Sequence, residues 1–118
     1  MNGKVRRTDE YLRHRLEAAR RIAGYIEGFD QSAFAGDART QDAVIRNLEI
    51  IGEAARSVLN HDPDFPAMHA GIPWVVAYRM RNALSHGYAD VDMTTVWSTA
   101  RRNVPDLERK LSELLAGE

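Results

Sequence analysis

Cysteine is absent from the 118 residues, so disulfides, thiolate metal sites and cysteine nucleophiles are all excluded. Proline is scarce, at four, and no low-complexity tract occurs, which leaves no compositional ground for extended disorder. No apolar run approaches the length that crosses a bilayer. The basic start Met1-Asn2-Gly3-Lys4-Val5-Arg6-Arg7 leads into polar Thr8-Asp9-Glu10 rather than an apolar stretch, so a secretory or twin-arginine signal is not expected and a cytoplasmic location is. An excess of one charge is missing too. Sixteen Lys and Arg face seventeen Asp and Glu, for a formal charge of −1. A polyanionic partner would therefore have to be engaged by a local site, not by the field of the whole chain.

What remains is an ordinary globular composition, 44 % hydrophobic, with material for one core. A single domain over 1–118 is expected, with 1–7 and 116–118 as flexible ends. Residues 9–28 carry Leu12, Leu16, Ala19, Ile22, Ala23 and Ile26 at spacings of three and four, the stripe of an amphipathic helix. Thr8 or Asp9 is expected to cap it and Gly28 to end it. Residues 40–59 carry a second stripe, Val44, Leu48, Ile51, Ala55 and Val58, with Asp42 expected in the first turn. Between them, Asp30 and Ser32 read as turn formers around an inward Phe34. Residues 60–71 hold Pro63 and Pro66 and read as a break, after which Pro73 suits the first turn of a helix that Gly87 would stop. Asp92 precedes a last series, Val96, Ala100, Val104, Leu107, Leu111 and Leu114, which Pro105 should kink or split. No segment alternates with period two. The pattern predicts an all-α, up-and-down bundle of four main helices with short extra turns.

Three groups of residues could carry chemistry. Asp90-Val91-Asp92 resembles a paired-carboxylate magnesium site, but Asp92 sits where a helix N-cap is needed, and capping is the expected role. His61, Asp62, Asp64 and His69 lack the spacing that aims two ligands at one metal, and they read as solvated loop residues. The third group, Arg81-Asn82-Ala83-Leu84-Ser85-His86-Gly87-Tyr88, brings a permanent cation, an amide, an imidazole and a phenol to one helix end. Metal-free cleavage of a ribose phosphodiester needs a base for the 2′-hydroxyl, a cation for the charge that builds on the phosphate, and an acid for the leaving oxygen. His86 can titrate near neutrality and Arg81 can fork onto phosphate oxygens. At about 100° per residue Asn82 and His86 share a helix face, whereas Arg81 lies about 140° from His86. Convergence of the group thus needs a broken helix end or a cleft closed by a second subunit. The plainer reading makes Arg81 a solvated residue, His86 a polar cap and Tyr88 a core edge, and the bare spacing does not choose between the two.

The surroundings of the motif do favour one. Residues 40–46 running into Leu48-Glu49-Ile50-Ile51-Gly52-Glu53-Ala54-Ala55, then Ile72-Pro73-Trp74, Met80-Arg81-Asn82, His86-Gly87-Tyr88, Val91-Asp92 and Val96-Trp97 resemble, in order and spacing, the HepT family of the HEPN superfamily. These are the toxin halves of nucleotidyltransferase-paired toxin–antitoxin modules. The resemblance implies a dimeric helical endoribonuclease that works without a cofactor or metal, with Arg81, His86 and Tyr88 as its R-x-x-x-x-H-x-Y element. Asn82 fits the pattern as the orienting residue, and Ser85 and Glu53 are possible supports. It also implies an RNA substrate, a nucleotidyltransferase antitoxin as partner, and silencing by attachment of AMP to Tyr88. The alternative is a non-catalytic module of the same fold that binds a nucleotide or regulates its partner. Glu53 itself is expected to be half-buried, paired with an arginine or a hydroxyl, with shaping of the cleft as its second reading. Trp74 and Trp97 are expected as core or interface anchors, and Arg79, Arg101 and Arg102 as solvated charges rather than a track for a nucleic-acid backbone.

Overall fold

The computed structural model describes residues 2–69, 71–72 and 92–117, and every element among them is helical. Helix α1 (Asn2–Ile26) and helix α3 (Ala38–His61) pack along one another, with the short α2 (Gln31–Ala35) between them in sequence. After α3 comes the single-turn α4 (Phe65–Met68). The C-terminal arm runs from α5 (Met93–Ser98) through a π-helical turn (Thr99–Asn103) into α6 (Val104–Ala116), which lies against α1. The chain is all-α. The helix expected after Pro73 lies outside the described residues. Among those described, no helix is long and apolar enough to cross a membrane.

Helix α1 starts well before the expected Thr8 or Asp9 because nothing in Lys4-Val5-Arg6-Arg7 breaks a helix. Thr8 is therefore an interior residue. It is buried, and its hydroxyl donates to Asp62 at the end of α3 at 3.4 Å instead of capping its own helix. The stripe Leu12, Leu16, Ala19, Ile22 and Ile26 is buried as expected, while Ala23 is only half-buried. Arg15 and Ala18 are buried as well, widening the face, because α1 must cover both α3 and α6.

Gly28 ends this helix. Its φ of +81° is a left-handed conformation that an L side chain reaches only with strain. No neighbouring atom lies within 4 Å of where a Cβ would stand, so Gly28→Ala should show the backbone effect alone. The expected loss is about 1 kcal/mol, measured by urea denaturation, with Gly24→Ala in the interior of α1 as the stabilising counterpart.

The segment between α1 and α3 is more ordered than a turn. Asp30 accepts from the Ala33 N–H at 2.8 Å and starts α2, whose Phe34 is 1 % exposed and rests on Trp97 with ring centroids 5.2 Å apart. The Gln41 amide donates back to the carbonyls of Phe34 and Ala35, fastening α2 to α3. Helix α3 starts two residues earlier than its stripe suggests, because Asp37 is the N-cap and accepts from the Thr40 N–H at 3.0 Å. Asp42 consequently lies beyond the first turn. Val44, Leu48, Ile51, Ala55 and Val58 are all buried.

Pro105 divides the C-terminal helix in the way its chemistry requires. It cannot donate to the carbonyl of Arg101, and its ring would press on that carbonyl in a regular helix. A π turn just upstream relieves both demands, with the Val104 N–H reaching back five residues to the Thr99 carbonyl. Helix α6 then restarts with Val104, Leu107, Leu111 and Leu115 inward, so Leu114 of the expected series sits at the margin of the core and Leu115 takes its place.

Candidate functional site

The described residues hold both ends of the segment that carries the motif. On one side Ile72 is buried in the core and its N–H donates to the His69 carbonyl at 3.1 Å. On the other, Asp92 caps α5, accepting from the Thr94 N–H at 2.9 Å and from the Thr95 hydroxyl at 3.2 Å. Asp92 thus takes the capping role expected of it. Arg81, Asn82, Ser85, His86 and Tyr88 lie between these ends and outside the described residues, as do Trp74, Arg79 and Asp90.

Glu53, the sixth of the expected site residues, is on α3 and is exposed rather than half-buried. Its neighbours explain this. Gly52 and Ala54 are the two edges of the buried face of α3, and at about 100° per residue the position between them falls on the opposite side of the helix. Glu49, one turn earlier on α3, approaches Arg46 at 3.9 Å.

The loop group is not simply solvated. His61 is the last residue of α3 and stacks on Tyr11 of α1, centroids 5.6 Å apart. Asp62 receives the Thr8 hydroxyl, and its own N–H donates to the Val58 carbonyl, closing α3. His69 leans on Phe65 with centroids 4.3 Å apart. These side chains join helix ends. Among the described residues, no group of three or more His, Cys, Asp or Glu side chains is placed to hold a metal ion.

Two features lie outside the sequence expectations. Arg15 is fully buried on α1, and burial lowers its pKa to about 10, which still leaves it charged at neutral pH. Its only sequence signal is position: it falls seven residues after Thr8 and seven before Ile22, on the face those two share. The second is the pairing of charges on the C-terminal arm. Asp106 takes Lys110 at 2.9 Å and Arg109 at 2.8 Å, which lowers its carboxyl pKa and raises that of Arg109. Arg101 and Arg102, on the π turn, have no such acidic partner among the described residues. Arg101 instead lies over the buried Trp97, 5.7 Å from the ring centroid, and donates to the Phe29 carbonyl at 3.5 Å. Trp97 is thus a core anchor.

This helical frame, with the motif carried between Ile72 and Asp92, coincides with what the chain is similar to. Residues 15–114 match the family described as "Ribonuclease HepT-like". A protein of Thermococcus cleftensis named "Probable ribonuclease HepT" is 39 % identical over 105 residues, covering 89 % of this chain and 93 % of its own length. A "Putative RNase" of Caldanaerobacter subterraneus subsp. tengcongensis is 32 % identical over 108 residues, covering 92 % of this chain and 94 % of its own. No solved structure matches the chain significantly. With the family match spanning the helical frame and the motif alike, and with a relative of this similarity aligned nearly end to end, the chain belongs to the HepT-like ribonuclease family.

Proposed function

We propose that the chain is an endoribonuclease that cleaves RNA by attack of the 2′-hydroxyl, without a metal, at a site made of Arg81, Asn82, His86 and Tyr88. The observation that carries this reading is that the family match over residues 15–114 encloses the stretch that holds Arg81, Asn82, His86 and Tyr88. Each group has a task its chemistry suits. The His86 imidazole takes the proton of the 2′-hydroxyl or delivers one to the departing 5′ oxygen. The oxygen attacks phosphorus, the bond to the 5′ oxygen breaks, and a 2′,3′-cyclic phosphate is left. Arg81 neutralises the charge that gathers on the phosphate oxygens. Asn82, four residues before His86 in sequence, orients the ring, Tyr88 positions the substrate, and Ser85 and the exposed Glu53 stand as supports.

Two protomers complete the cleft in this reading, which brings Arg81 and His86 to one phosphate although helical spacing alone would set them about 140° apart. A nucleotidyltransferase antitoxin keeps the enzyme silent by attaching AMP to Tyr88. A bulky anion there excludes RNA by volume and by like charge.

The direct experiment incubates the purified chain, produced without its partner, with single-stranded RNA. Cleavage supports the assignment, and failure of the unmodified protein to cut any RNA would end it. Silencing has its own readout. Co-expression with a nucleotidyltransferase encoded beside it should add mass in units of AMP, and Tyr88→Phe should abolish the addition. An inhibited complex of unchanged mass would instead mean blocking by contact.

A further inference from the structure

Away from the motif, α2 and the C-terminal arm enclose an open groove of about 640 Å³. Gln31 and Asp30 form one wall, Thr94, Ser98, Arg101 and Arg102 the other, and Trp97 lies at its floor. We propose that this groove is a second binding surface for the RNA strand, gripping backbone phosphate and ribose without reading sequence. The choice of RNA as the anion rests on the ribonuclease reading above.

The charge balance points to an anion. Arg101 and Arg102 are exposed and unneutralised among the described residues, whereas Arg109 and Lys110 further along the same arm are tied to Asp106 and Glu113. Among the described residues of the lining Asp30 is the single carboxylate against two arginines, which leaves a net positive charge, and its Oδ1 is occupied by the Ala33 N–H. The donors are also preorganised. Arg101 is steadied by the Trp97 face and by the Phe29 carbonyl, which fixes its plane and leaves N–H groups over for a ligand. Arg101 and Arg102, adjacent on the π turn, both line the one groove. Thr94 and Ser98, one helical turn apart, add hydroxyls on the same side.

The lining is a poor seat for a protein. Interfaces between proteins are anchored by accessible aromatic or aliphatic side chains, and the one aromatic among the described residues of the lining, Trp97, is 8 % exposed. The exposed large hydrophobics among the described residues, Tyr25 and Met68, lie outside the groove. Phosphate, by contrast, is held by the arginine, hydroxyl and amide groups present. The groove also lies within reach of a strand held at the motif. Thr94 follows Tyr88 by six residues, and six residues span about 20 Å at the most.

The test separates binding from cleavage by using a short, fluorescein-labelled, single-stranded 2′-O-methyl RNA, which has no free 2′-hydroxyl to attack. Fluorescence anisotropy across a potassium chloride series gives affinity and its salt dependence. Arg102→Glu should weaken binding about tenfold or more, equally for unrelated sequences, and lower the salt slope by about one for each phosphate that is no longer neutralised. Arg102→Lys should keep most of the affinity, and on cleavable RNA the Glu variant should raise KM while leaving kcat near the wild-type value. Arg102 is exposed, so a thermal melt should show both variants folded; Arg101→Gln repeats the test at the second cation. Wild-type affinity and salt slope in the folded Arg102→Glu and Arg101→Gln variants would overturn the proposal. So would loss of binding to an acidic protein with RNA affinity unchanged. A chain that grips RNA through the groove but never cuts it supports this proposal and defeats the ribonuclease assignment; cleavage with binding indifferent to the groove does the reverse.

Discussion

Replacing His86 with alanine is expected to reduce RNA cleavage by about two to four orders of magnitude while leaving the fold intact. The size follows from the role. An imidazole that moves a proton in the transition state contributes about a hundredfold to ten-thousandfold, and no cysteine or second motif histidine is available to take over. Arg81→Ala should fall in a similar range, about a hundredfold to a thousandfold, because it removes one donor to a developing anion. The double variant should lose far less than the product of the two, since groups that act on one transition state are not additive. Single-turnover rates on a defined RNA, with thermal melts of each variant, check all of this. A His86→Ala protein that cleaves at a tenth of the wild-type rate or better would remove His86 from the proton transfers.

The largest expected effect on stability belongs to Phe34. It is 1 % exposed, is carried on the five-residue α2, and joins that helix to the C-terminal arm through Trp97. Truncating a buried phenylalanine costs about 3–5 kcal/mol, the sum of lost transfer energy and an incompletely collapsed cavity. Native stabilities are about 5–15 kcal/mol, so Phe34→Ala should remove a large share of the whole and lower Tm by about 10–20 °C. Phe34→Leu should recover much of the loss by refilling the space. Differential scanning calorimetry of the three proteins measures it. A fall below about 1 kcal/mol would mean that α2 is not part of the cooperative core, and the wall it gives to the arginine groove would then have little to hold it.

Both predictions rest on parts of the chain that differ in how openly the sequence displays them. The stripes of α1, α3 and the C-terminal arm are legible because burial repeats at helical spacing, and a run such as Val44, Leu48, Ile51, Ala55 and Val58 has only one sensible face. The ends of helices are harder. Thr8 has the composition of a cap but is spent on Asp62 across the bundle, a partner 54 residues away that no local rule can supply. Asp37 is hard to tell from Thr40 and Asp42 as the start of α3, because several residue types suited to starts stand close together there. That Pro105 must break its helix is plain from its ring, yet the device that absorbs it, a π turn, depends on how α5 and α6 must both meet the rest of the bundle. Arg15 is buried against what its charge suggests, since α1 has neighbours on two sides, while Glu53 is exposed rather than half-buried, since it stands on the side of α3 opposite the buried face.

For the site, residue types are legible and placement is not. Arg81, Asn82, His86 and Tyr88 declare a set of tools through their spacing and their resemblance to a family. The helical arithmetic adds that Asn82 accompanies His86 while Arg81 does not. Whether one protomer or two bring them to a single phosphate depends on packing between chains, which a single sequence does not encode in any local pattern. Arg101 and Arg102 show the opposite. Their charges read as solvent-facing, and only the packing of α2 against the π-turn arm turns them into one groove.

The chemistry of the broken RNA end tests the central claim most directly. Cleavage by the wild-type chain in excess chelator, followed by mass spectrometry of the fragments, should show 2′,3′-cyclic phosphate on one side of each cut and a 5′-hydroxyl on the other. Fragments ending in 3′-hydroxyl and 5′-phosphate, or cleavage that stops when divalent ions are removed, would contradict it.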